Sequence, residues 1–167
     1  MPYPNIIHHG AVTGVTGSCH QLKMDAYSSL LIDCGLFQGG DKSLGRGGEE
    51  QTPAITFEVG PVKALVVTHV HADHIGRIPY LLAAGFKGPI FCSEPSAQLL
   101  PLVLEDAFKL DFSRDEREIK RYVKRVQQQI VALPFNQWFV IEPSVGLLPL
   151  IGLQKAGHIL GSAYVEC

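Results

Sequence analysis

The chain has 167 residues, 46% of them hydrophobic and 18% charged, with a net charge of −2 at neutral pH. That is enough chain for one domain with a real core, and too apolar for a disordered segment. The charge balance excludes a general basic field for nucleic acid, so any such contact needs a local patch. Four scattered cysteines, Cys19, Cys34, Cys92 and Cys167, form no C-x-x-C pair, which argues against a zinc ribbon or a disulfide scaffold and for buried free thiols. Met1 to Asn5 has no charged start leading into an apolar core, and no apolar run reaches membrane-spanning length. No membrane association and a cytoplasmic location are the default expectations.

Asn5 to Val12 reads as a short strand interrupted by His8-His9-Gly10, followed by a glycine- and hydroxyl-rich turn at 13–18. Cys19 to Met24 alternates like a strand. Asp25-Ala26-Tyr27 suits a hairpin turn, and Ser28 to Ile32 is a buried strand ending at Asp33-Cys34-Gly35. His8, His9 and His20 have no ligand spacing to the histidine-rich motif at 69–74 and read as ordinary surface or strand positions. The glycine-rich stretch from Gln38 to Glu50 lacks G-K-[ST] and does not join a strand to a helix, so it is not a phosphate-binding P-loop.

Pro61 to Val67 is the next strand, and it delivers Thr68-His69-Val70-His71-Ala72-Asp73-His74. Three histidines and an aspartate fall within six residues. Imidazole and carboxylate suit zinc and related divalent ions. In extended backbone, residues i and i+2 point the same way, so His69 and His71 can hold one metal. Asp73 and His74 come after the turn and can face a second position. A polar turn with ordinary histidines is the bland alternative, and four ligand-type residues at this spacing count against it.

T-H-x-H-x-D-H resembles the signature of the metallo-β-lactamase fold superfamily. The opening V-T-G-S-C-H and L-I-D-C-G-L-F-Q-G resembles the N-terminus of its β-CASP branch of RNA- and DNA-processing nucleases. In that pattern the aspartate matching Asp33 is not a ligand. It supports the metal site from behind and orients the ligands, where an aspartate ending a strand elsewhere often only caps a turn.

Beyond the motif, Pro79 fits a first helical position, with Gly85 as the stop. Pro89 to Cys92 is a strand. Ser93 or Glu94 can cap a helix with Pro95 in its first turn, running through Leu104 to Leu110. Ser113-Arg114-Asp115-Glu116 has the capping-box pattern, and Ile119, Tyr122, Val123, Val126 and Ile130 follow at helical spacing. Six of the fourteen basic residues lie between Arg114 and Arg125. A solvated amphipathic face explains them better than a phosphate-contact surface. Trp138 to Ile141 and Gly146 to Leu153 read as strands joined by a turn at Pro143-Ser144.

Ala156-Gly157-His158-Ile159-Leu160-Gly161-Ser162-Ala163 resembles the third metal motif of β-CASP nucleases. By that resemblance His158 completes a three-histidine site with His69 and His71, while Asp73 and His74 serve a second metal and act as the catalytic pair. The resemblance implies an α/β fold, an incomplete metallo-β-lactamase-like αββα sandwich. Residues 1–167 would form one truncated domain containing the first half and the opening strands of the second, with the β-CASP domain absent. It implies one or two zinc ions, RNA as partner, and phosphodiester hydrolysis with zinc-bound hydroxide as nucleophile. A face left uncovered by a missing half predicts a homo-oligomer, in its simplest form a dimer. Two further functions fit the motif: a non-catalytic, self-associating or partner-binding short relative, and a thioesterase or lactonase of the same superfamily. The latter does not account for A-G-H-I-L-G-S-A.

Overall fold

The apolar runs Leu30-Leu31-Ile32 and Ala64-Leu65-Val66 are what a strand needs when both of its faces are covered. A computed structural model, which describes residues 3–12, 14–38, 52–141 and 150–167, places them that way. One sheet has six strands in the order β1 (Asn5–His8), β2 (His20–Lys23), β3 (Ser29–Ile32), β4 (Val62–Val66), β5 (Ile90–Ser93) and β6 (Ile130–Leu133). The chain enters as an antiparallel meander through β3, and β3 to β6 are parallel. A second, antiparallel sheet is built from β7 (Trp138–Val140), β8 (Leu150–Lys155) and β9 (Ala163–Glu166).

Strand alternation sorts the core into two sides. Leu31, Leu65 and Val67 pack with residues of α1 (Ala72–Ile75), α2 (Ile78–Ala83), α3 (Glu94–Asp111) and α4 (Glu116–Gln129), among them Ile75, Leu81, Leu104 and Val126. Leu30, Ala64 and Val66 face the other way, onto Ile151, Leu153 and Ala163 of the second sheet. Burying each such leucine or valine stabilises the fold by about 1.5–3 kcal/mol. The layers are therefore helices, sheet, sheet. The outer face of the second sheet exposes Trp138, Val140, Leu150 and Tyr164, and among the described residues no helix covers it.

Several local expectations hold. Tyr27 N donates to the Asp25 carboxylate at 2.7 Å in the expected hairpin turn. α2 ends in paired bonds from Gly85 N to Leu82 O and Phe86 N to Leu81 O, with Gly85 at φ +102°. Ser93, not Glu94, caps α3 by accepting from Ser96 N. Cys19, Cys34 and Cys92 are buried free thiols, while Cys167 is free but exposed.

Others need correction. Pro79 is the second residue of α2, which begins at Ile78. The cap of α4 is Asp115, whose side chain accepts from Arg117 N at 2.7 Å, and Ser113 only accepts from Asp115 N. Ile130 is not the last core position of α4. It opens β6, which pairs with β5. β6, β9 and the four-residue α1 were not expected from sequence pattern. Residues 39–50 of the glycine-rich stretch, the Pro143-Ser144 turn and positions 146–149 lie outside the described residues.

Candidate metal centre

The C-terminal ends of the parallel strands lie side by side, the usual place for a site in an open α/β sheet. Asp33 follows β3, Thr68 to His74 follow β4, and Ser93 ends β5. His71 itself is extended (φ −73°, ψ 149°), and α1 begins directly after it. His69 and His71 therefore point together, with Nε2 of the first 3.2 Å from Nδ1 of the second.

A helix of four residues has no stability of its own. Here the surrounding loops hold it. Leu36 N donates to Ala72 O at 2.9 Å, Ser18 N to Asp73 O at 2.9 Å and Cys34 N to His74 O at 2.7 Å. The approach is so close that a Cβ at Gly35 would lie 1.6 Å from Asp73 O. Glycine at position 35 is thus a steric requirement of the metal motif.

Asp33, 2% exposed, is the hub behind the histidines. It adopts φ +60°, a left-handed conformation that aspartate tolerates better than most residues. Its carboxylate accepts from Thr68 N (2.8 Å), Thr68 Oγ1 (2.8 Å), His74 Nδ1 (2.7 Å) and Ser18 Oγ (3.2 Å). A carboxylate can only accept, so the Thr68 hydroxyl proton points to Asp33. The Thr68 oxygen is then free to accept from His69 Nδ1 at 3.1 Å. That fixes the tautomer of His69 and leaves its Nε2 lone pair facing His71. Ligand spacing assigned Thr68 no role. Its place between a strand end and the first histidine is the only sequence signal of one.

His158 comes from the loop between β8 and β9. Its Nε2 lies 3.3 Å from His71 Nδ1, and its ring centre is 5.1 Å from that of His69. One nitrogen of each of the three histidines falls within 4.8 Å of the others. A tetrahedral zinc with nitrogen bonds of about 2.0–2.1 Å has donors about 3.3 Å apart, so the His69–His71 and His71–His158 separations fit such an ion. Asp73 and His74 are not part of this cluster. They form a neighbouring pair, His74 Nε2 to Asp73 Oδ2 at 3.7 Å. Among the described residues no further His, Cys, Asp or Glu joins them to make a set of three.

The electrostatics separate the histidines by role. Burial, the His74 imidazole and the other two cluster histidines push His69 down to about 4, against some help from Asp33. It is neutral at pH 7, as a ligand must be. Burial also disfavours charge on His74, but the hydrogen bond and charge of Asp33, with Asp73, outweigh it and hold its pKa above the ordinary value.

His8 and His20 are strand residues, as expected, and His9 directly follows β1, but none of the three is isolated. His8 Nδ1 and His20 Nδ1 are 2.8 Å apart across the β1–β2 pair, and His20 Nε2 lies 3.4 Å from the Ser18 hydroxyl that reaches Asp33. His9 Nε2 meets Gln21 Oε1 at 2.9 Å and stacks on Phe57. Their spacing to the metal motif gives no hint of this, because it is set by strand register.

The profile of the metallo-beta-lactamase superfamily matches residues 27–166. The chain belongs to that superfamily. Its members' fold is seen again in the solved structure of the Rm3 metallo-beta-lactamase, which is 15% identical with a TM-score of 0.55 over 96% of this chain and 52% of that one. Among curated proteins, Ribonuclease TTHA0252 of Thermus thermophilus is 34% identical over 161 residues, covering 96% of this chain and 34% of the relative. Transcription termination factor FttA of Cenarchaeum symbiosum is 32% identical over 152 residues, covering 90% of this chain and 23% of the relative. The chain thus spans about a third of the length of the first of these curated relatives and about a quarter of the second. Superfamily members bind metal ions, and the three-histidine cluster of this one could hold one. Among the described residues no helix is long and apolar enough to cross a membrane.

Proposed function

We propose that this chain carries the metal-binding part of a zinc-dependent phosphodiesterase that acts on RNA. The observation that carries this reading is the meeting of His69 and His71 from one sheet with His158 from the other, at separations suited to one ion. The relatives named as a ribonuclease and as transcription termination factors support RNA as the substrate class. Three imidazoles suit zinc and leave a fourth position open, the pattern of catalytic rather than structural sites.

In this reading His69, His71 and His158 hold the ion. When bound, zinc supplies Lewis-acid polarisation and lowers the pKa of water to near neutral. Thr68 keeps the Nε2 lone pair of His69 turned to the ion. Asp33 holds the proton on His74 Nδ1, so that His74 presents Nε2 on the side of Asp73. Asp73 and His74 are the pair we assign to proton handling and to a second ion.

Zinc content per chain, measured after purification without chelator, tests the reading together with cleavage of a single-stranded RNA. About one zinc per chain, lost in His158→Ala, with metal-dependent cleavage, is the expected result. Zinc without cleavage would favour a non-catalytic relative, and cleavage of a thioester or lactone in place of RNA would move the chain to another branch.

One further observation favours a self-associating chain. Val140 and Leu150 are register partners on the open face of the second sheet, and Trp138 lies over Gly152 beside them. Trp138 is 54% exposed, a large apolar side chain in water. We propose a homodimer through this face. Light scattering on the wild type and on Trp138→Lys decides it, since a wild-type monomer at high concentration rules it out.

A further inference from the structure

His158 reaches the centre from the second sheet, so something must fix its loop against the first. Ser93 and Ser96 do this. Both are fully buried, at the capped start of α3, and both hydroxyls point at one backbone carbonyl, that of Gly161. Ser93 Oγ donates to Gly161 O at 2.6 Å and Ser96 Oγ at 3.2 Å. The partners are 68 and 65 residues apart in sequence. The carbonyl dipole also meets the positive end of an 18-residue helix.

The fit is tight from the other side. Gly161 is at φ +86°, and a Cβ there would lie 2.6 Å from Ser96 Oγ and 2.9 Å from Ser96 N. The loop's other anchors are Ala163 N to Thr68 O at 2.9 Å, Ile159 packed against the helix-side core, and internal bonds from Ala156 N to Ser162 O, Ile159 N to Ser162 Oγ and Ser162 N to Ile159 O, each at 3.0 Å. The His158 side chain itself is exposed and makes no bond outside the histidine cluster among those described.

We propose that Ser93 and Ser96 are positioning residues of the metal centre, a hydroxyl pair that clamps Gly161 O and so holds His158 at bonding distance from the ion shared with His69 and His71. Neither touches the ion. This rests on the metal-centre reading above. The two hydroxyls differ usefully: Ser93 also caps α3, whereas Ser96 contributes its hydroxyl to the clamp and only its backbone N–H to the cap.

The test uses the full chain with zinc or cobalt(II) alone as probe. Ser93→Ala/Ser96→Ala should lower zinc affinity by about 10–100-fold, the usual effect of losing a group that orients a ligand. It should also weaken the tetrahedral cobalt(II) absorption while leaving the helical circular dichroism in place. Ser93→Thr keeps the hydroxyl and should restore both. In the chelated protein, the amides of Ile159, Ser162 and Ala163 should exchange with solvent faster in the double variant than in the wild type. Should the double variant not fold, Ser96→Ala leaves the cap intact and should show a smaller loss in the same direction. Wild-type affinity, cobalt spectrum and amide exchange in the folded variant would overturn the clamp. If the wild type takes up no metal, the metal-centre reading falls and takes the positioning role with it, while the exchange experiment still reports on the clamp itself.

Discussion

The two arms of the candidate centre are built on opposite principles. The arm of His69 and His71 is short in sequence, backed by a buried carboxylate and fixed by three backbone hydrogen bonds onto α1. The His158 arm hangs from a loop with an exposed imidazole and is held by contacts between two sheets. The first arm is a property of one sheet edge. The second exists only when both sheets are docked. A substitution behind the first arm should therefore injure stability and metal binding together, and one in the second should injure metal binding alone.

The strongest way to break the first arm is Gly35→Ala. With Asp73 O 1.6 Å from the new Cβ, backbone must move on both sides. We expect a loss of about 3 kcal/mol or more, beyond the usual range for overpacking, in urea unfolding, with no metal uptake. Next is Asp33→Asn. Its amide group would face the Thr68 hydroxyl and the His74 N–H with a donor, leaving a buried mismatch of about 1–3 kcal/mol. Zinc affinity should fall as well, and an unchanged unfolding midpoint would refute the hub role of Asp33. His158→Ala is the contrasting case: zinc uptake is lost, yet the chelated variant should unfold within about 0.5 kcal/mol of the wild type, as exposed positions do.

pH sharpens the contrast inside the first arm. In the chelated protein His69 should titrate near 4 and His74 above 6.5, resolved by imidazole NMR. The stability effects have opposite signs. The unfolded chain protonates His69 first, so acidification from the ordinary 6.5 toward 4 destabilises the fold through this residue. The His74 contribution is complete below 6.5 and fades as pH rises through its raised folded value. Both rings titrating together at the ordinary value would contradict the Asp33 network. The smallest effect lies away from both arms: Asp115→Ala should cost about 1 kcal/mol in unfolding and Ser113→Ala less, with zinc binding unmoved in each.

The first arm was legible because its information is local. The i, i+2 spacing of His69 and His71 on extended backbone gives their convergence directly. His158 could be assigned only by resemblance, since nothing in a lone histidine between glycines says which sheet it will meet. Leu30-Leu31 and Ala64-Leu65-Val66 were legible as strands, while their layering into an α/β sandwich was implied only by the family resemblance. β6 was not, because Ile130 continues the helical spacing of Tyr122 and Val126, and only pairing with β5 decides for a strand. The cap of α4 shifted from Ser113 to Asp115 because both can accept a backbone N–H, and pattern alone does not rank them.

His71 and His158 are 87 residues apart in the chain. An ion held between them would be a cross-link closing a loop of that length, comparable in effect to a long-range disulfide, and the entropy removed from the unfolded chain grows with the size of the loop. It would also be a late one. During synthesis the first sheet can be complete, with His69 and His71 already aligned, well before His158 leaves the ribosome. Metal capture would then be the closing event of folding, and the ion would report that the second sheet has arrived.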